Sequence, residues 1–276
     1  MNIITKKNIV LENSETKPFL ADFFYPDCEG KFPLLIFVHG YKGFKDWGAW
    51  NLMAEKFAKA GFFFVKFNFS HNGTSLENPT EFTDLESFGQ NNYSKELSDL
   101  GFAIEYFLKH PKTDASQITL IGHSRGGGIS AVKTFEDERI QSLITLASVD
   151  SLNRFPKNED FENWKKTGVY YSPNGRTGQQ MPHYFQFYED YLQNEKRLNV
   201  EFSMKHIKAK TLIIHGTGDE SVPDENSRNL HLWKPESELF LIENANHTFG
   251  AKEPWTEFSL PKDLETAVEK MIDFLK

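Results

Sequence analysis

The run Gly122-His123-Ser124-Arg125-Gly126-Gly127 sets a hydroxyl among small residues, directly after the apolar stretch Ile118 to Ile121 and before a helix predicted from about Arg125 to Phe135. A chain turning so sharply from strand to helix needs Gly122 and Gly126, because Cβ atoms there would collide as the helix packs back. The turn would push the Ser124 hydroxyl out at the carboxyl edge of a sheet, where open α/β sheets bind ligands. It would also place that oxygen at a helix N-terminus, whose dipole favours developing negative charge. A serine hydroxyl is a poor nucleophile at neutral pH. It needs a base, and the base needs an orienting acid.

In strand-turn-helix sites of this kind the acid and then the base follow the serine in chain order. For the acid, His215-Gly216-Thr217-Gly218-Asp219 comes straight after the strand-like Thr211 to His215, and its glycines let the loop aim a carboxylate. Asp150, just past the run that ends near Ala147, is the rival. Of nine histidines only His231 and His247 lie beyond Asp219. His231 falls in a helical stretch, Asp224 to Trp233, whereas His247 follows the strand-like Leu239 to Ile242 on a loop closed by Gly250, so His247 is the expected base. An imidazole, with an ordinary pKa near 6.5, can take the serine proton when a carboxylate on its other nitrogen holds the right tautomer. A tetrahedral oxyanion also needs donors. The backbone N–H of Arg125 is one, and the loop His39-Gly40-Tyr41-Lys42-Gly43, after the strand Leu34 to Val38, offers the N–H of Tyr41 as the other.

These loops require a scaffold. Ile9 to Glu12 and Phe19 to Tyr25 read as an antiparallel hairpin, after which continuous apolar runs at 34–38, 62–65, 118–121, 143–146 and 212–214 read as strands buried on both faces. Helices are predicted between them at Trp50 to Ala60 and Ser94 to His110, and at the end of the chain on the stripe Leu264, Val268, Met271, Ile272 and Leu275. Alternation of this kind gives an α/β fold, a doubly wound and mostly parallel sheet with an antiparallel start. From about Asp150 to Lys210 no strand-like run occurs, but aromatics crowd. Tyr184, Phe187, Tyr188, Tyr191 and Leu192 share helical spacing, and a helical cap over 150–208, inserted within a single 1–276 domain, is expected. Trp164, Tyr184 and Tyr188 are the aromatics expected to touch substrate.

Taken together, His39-Gly40, Gly122-His123-Ser124-Arg125-Gly126-Gly127, Gly218-Asp219 and Asn246-His247 make the chain resemble an α/β-hydrolase over roughly its whole length. The insertion after the sixth core strand and the Tyr41 turn resemble the serine-esterase branch near cinnamoyl (feruloyl) esterases and dienelactone hydrolases. Dienelactone hydrolases proper carry a cysteine at the elbow, and here it is Ser124, so dienelactone chemistry is not implied. The stretch Phe67 to Ser75 resembles the loop after the fourth strand of such hydrolases, which braces the floor of the site.

Composition narrows the function further. With 39 acidic against 31 basic residues the net charge is −8, which disfavours binding to nucleic acid or anionic lipid. No apolar run nears the roughly 18 residues a membrane span needs. A lone Cys28 rules out an internal disulfide, and the start of the chain does not read as a secretory signal, so a cytoplasmic location is expected. No metal-ligand spacing and no nucleotide-binding glycine motif occurs, so no cofactor or metal is expected. The expectation is a serine hydrolase acting on a small-molecule carboxylic ester of small to medium apolar or aromatic character. An amidase or small-peptide hydrolase, and a non-catalytic binding protein on the same scaffold, are the alternatives. The oligomeric state is not legible.

Overall fold

In the computed structural model, which describes residues 2–276, strands β1 (Ile3–Leu11), β2 (Phe19–Pro26), β3 (Phe32–Val38), β4 (Phe63–Phe67), β5 (Thr113–His123), β6 (Ile140–Leu146), β9 (Lys210–Gly216) and β10 (Glu238–Ile242) form one sheet in the order β1-β2-β4-β3-β5-β6-β9-β10. β1 and β2 run antiparallel to their neighbours, and from β4 to β10 every pairing is parallel. The parallel strands are hydrophobic on both sides because both are covered. Leu34, Ile36 and Val38 of β3 face α3 (Tyr93–Leu108), α4 (Arg125–Glu136) and α8 (Glu225–Trp233). Leu35 and Phe37 face α1 (Trp50–Lys59) and α9 (Lys262–Leu275). This is the doubly wound arrangement expected. The 26 phenylalanines mostly serve it, with Phe37, Phe57, Phe63, Phe64 and Phe107 fully buried.

Between β6 and β9 lie α5 (Asn158–Thr167), β7 (Val169–Pro173), β8 (Gln180–Tyr184), α6 (Gln186–Gln193) and α7 (Val200–His206). The segment therefore contains helices, as expected, and also an antiparallel β7–β8 hairpin that the sequence did not signal. Each hairpin strand has only five residues, and β7 alternates too weakly between buried and exposed positions to show a period of two. The helical stripe read from Tyr184 to Leu192 joins two elements: Tyr184 ends β8, and α6 begins at Gln186.

Beneath the β3–α1 loop sits a largely buried charged cluster. Lys45 and Lys66, both fully buried, bracket Asp22, at 2.9 and 2.5 Å, and both also pair with Asp46. The Lys45 amide donates to Asn68 Oδ1 at 2.7 Å, so the cluster fixes the far end of the loop that carries Tyr41. Removing one partner from a buried pair leaves an uncompensated charge. Asp22→Ala is expected to lower unfolding free energy by roughly 3–5 kcal/mol, read from urea denaturation. A loss under about 1 kcal/mol would mean that water reaches the lysines after all.

Candidate active site

Ser124 stands between β5 and α4 with φ 56° and ψ −123°, a conformation that non-glycine residues rarely adopt. The backbone is crowded on both sides. A Cβ at Gly122 would lie 2.4 Å from the Gly126 carbonyl oxygen, and one at Gly126 would lie 2.3 Å from that of Val38. Both glycines are thus required for the turn that presents Ser124.

His247 and Asp219 arrive on the loops after β10 and β9, the same sheet edge that β5 delivers Ser124 to. His247 Nδ1 is 2.7 Å from Asp219 Oδ2, and His247 Nε2 is 3.1 Å from Ser124 Oγ. An ionised carboxylate can only accept, so Nδ1 carries the proton and Nε2 is free to accept from the serine. Asp219 is itself held: its Oδ1 accepts the amides of Ser221 and Val222 at 2.8 and 2.9 Å, and His215 Nε2 lies 3.3 Å from its Oδ2. Burial alone would raise the Asp219 pKa, but the hydrogen bonds from His215, His247 and the Val222 amide hold it well below the carboxylate range. The rival Asp150 is turned elsewhere. Its carboxylate accepts from Asn229 of α8 at 2.8 Å, and its amide donates to Asn226.

Two histidines that flank the glycine turns are structural. His123 donates from Nε2 to the His247 carbonyl at 2.9 Å, and burial pushes its pKa down to about 3, so it stays neutral and pins the loop of His247. His39, pushed down to about 4 by burial, donates from Nδ1 to the Gly40 carbonyl and accepts the Phe69 amide on Nε2. Asn72 Nδ2 donates to the Gly43 carbonyl at 3.2 Å. The stretch after β4 does brace the loop that carries Tyr41.

That loop presses on the nucleophile: a Cβ at Gly40 would come 2.8 Å from Ser124 Cβ. The Tyr41 amide, one residue on, and the Arg125 amide, at the start of α4, belong to the two backbones that meet there. Tyr41 and Lys42 also reach the β7–β8 hairpin. Tyr41 Oη donates to His183 Nε2 at 2.6 Å, and Lys42 Nζ donates to Ser172 Oγ at 2.9 Å and the Pro173 carbonyl at 2.7 Å. His183 is neutral, since burial, aided by the charges of Arg125 and Lys42, pushes it down to about 3.

A cavity of about 580 Å³ opens over Ser124 and His247, walled by Tyr41, Tyr93, Phe155, Trp164, Tyr170 and Phe187. Of the three aromatics expected at the substrate only Trp164 reaches it, and its Nε1 donates to the His183 carbonyl at 2.7 Å. Tyr184 points away and donates to Glu86, and Tyr188 lines a separate, open groove with Phe161 and Lys166. Tyr93, Phe155 and Tyr170 were not legible as pocket residues. Tyr93 reads as ordinary α3 packing, and only the return of the inserted segment over the sheet edge makes it a wall.

Comparison with known proteins agrees with the fold. A family model described as the alpha/beta hydrolase fold matches residues 33–199. The curated quorum-quenching protein AidA of Acinetobacter baumannii is 26% identical over 125 residues, 45% of this chain and 38% of that protein, so the match spans well under half of the relative. Among solved structures, Est1E from Butyrivibrio proteoclasticus with ferulic acid bound superposes with a TM-score of 0.73 at 18% identity, covering 97% of each chain. The esterase domain of a Rhodothermus marinus protein gives 0.66 at 17% identity, covering 99% of this chain and 98% of that one. At such identities the structures speak for the fold alone. The family model covers more than half of the sequence: the chain belongs to the α/β-hydrolase fold family.

Proposed function

We propose that the protein is a serine hydrolase that cleaves a carboxylic ester of a small to medium apolar or aromatic substrate through an acyl-enzyme. One observation carries the reading: the continuous relay from Ser124 Oγ through His247 to Asp219, at 3.1 and 2.7 Å, at the floor of an aromatic-walled cavity. Ser124 Oγ attacks the ester carbonyl as His247 Nε2 takes its proton, and the tetrahedral oxyanion accepts from the amides of Tyr41 and Arg125. The C–O bond to the alcohol then breaks, the alkoxide leaving with the proton held on His247. Water, deprotonated by His247, attacks the acyl carbon and releases the acid with Ser124 restored. Asp219 keeps the imidazole in the productive tautomer throughout.

The inserted segment 150–208 acts as a cap in this reading, with Trp164 and its neighbours on Phe155, Tyr170 and Phe187 holding the acyl or alcohol group. Among the described residues no helix is long and apolar enough to cross a membrane. With a lone cysteine, the proposed site of action is the cytoplasm.

The test is turnover of matched p-nitrophenyl butyrate and butyryl p-nitroanilide. The reading expects hydrolysis of the ester at a kcat/KM at least about a hundredfold above that of the anilide, because the amine is the poorer leaving group. Comparable rates would move the assignment to an amidase or peptidase. No turnover of either would point to a binding protein on a hydrolase scaffold.

A further inference from the structure

The cavity over Ser124 is cationic although the chain as a whole carries a net charge of −8. Two guanidiniums, Arg125 and Arg154, line it, and no aspartate or glutamate does among the described residues. They differ in kind. Arg125 is fixed. Its Nη2 is 2.6 Å from Glu96 Oε1, and Glu96 is 1% exposed on α3 with its other carboxylate oxygen unpaired. Were Arg125 to swing away, that carboxylate would be left buried without a counter-charge. The rings of Tyr41, Tyr93 and Phe187 surround the guanidinium at 4.9, 5.9 and 6.0 Å and hold its plane. Its remaining N–H groups have no protein acceptor among the described residues, so they are presented to whatever fills the cavity.

Arg154 is the opposite case. It is exposed, and among the described residues no carboxylate lies within salt-bridge distance of it. Its backbone is nonetheless anchored, since the Arg154 amide donates to the Leu152 carbonyl, the same oxygen that accepts Tyr93 Oη at 2.8 Å. Glu96 offsets Arg125. Arg154 is left as the uncompensated charge at the cavity, which it shares with the fixed Arg125 guanidinium and with walls of aromatic carbon. An apolar ester would gain nothing from it.

Resting on the ester-hydrolase reading above and narrowing it, we propose that the substrate is an ester with an apolar or aromatic body that also carries a free carboxylate, on the limb that reaches Arg125 and Arg154. Arg154 supplies the attraction, and Arg125 supplies directional hydrogen bonds. The carboxylate end is thereby held, and the ester carbonyl at the other end is left to reach Ser124.

The experiment measures binding without turnover, using Ser124→Ala protein titrated calorimetrically with benzyl hydrogen glutarate and with its neutral twin, benzyl methyl glutarate. The acid is expected to bind at least about tenfold more tightly than the diester, as a charge-assisted hydrogen bond would give. Adding Arg154→Gln should erase most of that ratio, Arg154→Lys should retain part of it, and 0.5 M NaCl should reduce it. Arg154 is exposed, so these changes leave the core intact, which a thermal melt verifies. Equal or weaker binding of the acid, no measurable binding of either ligand, or a ratio untouched by Arg154→Gln would overturn the proposal. Hydrolysis of benzyl methyl glutarate by the unmodified protein is scored separately, so a failure of ester hydrolysis is told apart from a failure of carboxylate recognition.

Discussion

Ser124→Ala is expected to lower kcat for p-nitrophenyl butyrate by a factor on the order of 10⁶, about 8 kcal/mol of transition-state stabilisation, with KM little changed. The size follows from what is removed. In the proposed mechanism the hydroxyl is the atom that would form the acyl-enzyme, and without it the imidazole 3.1 Å away has no proton to take. The alanine keeps the Cβ and the strained φ of 56°, so the turn and the oxyanion amides remain in place. The residual rate would therefore come from those amides and from binding alone. Stopped-flow and steady-state assays of purified variant against wild type check this, and a loss below about a hundredfold would mean that another group does the attacking.

Asp219→Asn is expected to cost about 10⁴-fold in kcat. Asp219 Oδ1 accepts two backbone amides, from Ser221 and Val222. In the asparagine that position must keep the carbonyl oxygen, which turns the NH₂ toward His247 Nδ1. The imidazole can then avoid a donor-donor clash only by moving its proton to Nε2, where it can no longer accept from Ser124. Asp150→Asn, whose carboxylate accepts from Asn229 instead, should change kcat less than about twofold. The converse pattern would move the acid to the end of β6. Because the Asp219 pKa is depressed in the fold, its charge persists from neutral pH to well below pH 4. The stability its hydrogen bonds confer is present above the ordinary carboxylate pKa and is lost only as pH falls through the depressed value.

The parts of this site that could be read from sequence are those dictated by local backbone. Gly122 and Gly126 are demanded within five residues of Ser124, and Asp219 and His247 each follow a short apolar strand on a loop, 28 residues apart, room for α8 and β10. The order proposed for acid and base follows from the strand-turn-helix pattern. What escaped was set by long-range packing. Glu96 of α3 pairs with Arg125 at the start of α4, 29 residues on, His183 meets Tyr41 across 142 residues, and neither partner bears any local mark of the other. The β7–β8 hairpin failed to register for a related reason. Its strands meet at the turn where the Asn174 amide donates to the Gln179 carbonyl, and neither short strand carries a clear hydrophobic alternation of its own. Tyr184 and Tyr188 lie away from the substrate cavity, and the helical spacing read across them joins the end of β8 to the start of α6.

A proton relay aimed at a strained serine makes a claim about one oxygen atom, and covalent labelling interrogates that atom. A fluorophosphonate probe should add once to the protein, with the adduct mapped by peptide mass spectrometry to the fragment containing Ser124, and the adduct should be absent from Ser124→Ala. Labelling at another residue, or none under conditions that label a known serine esterase, would contradict the account.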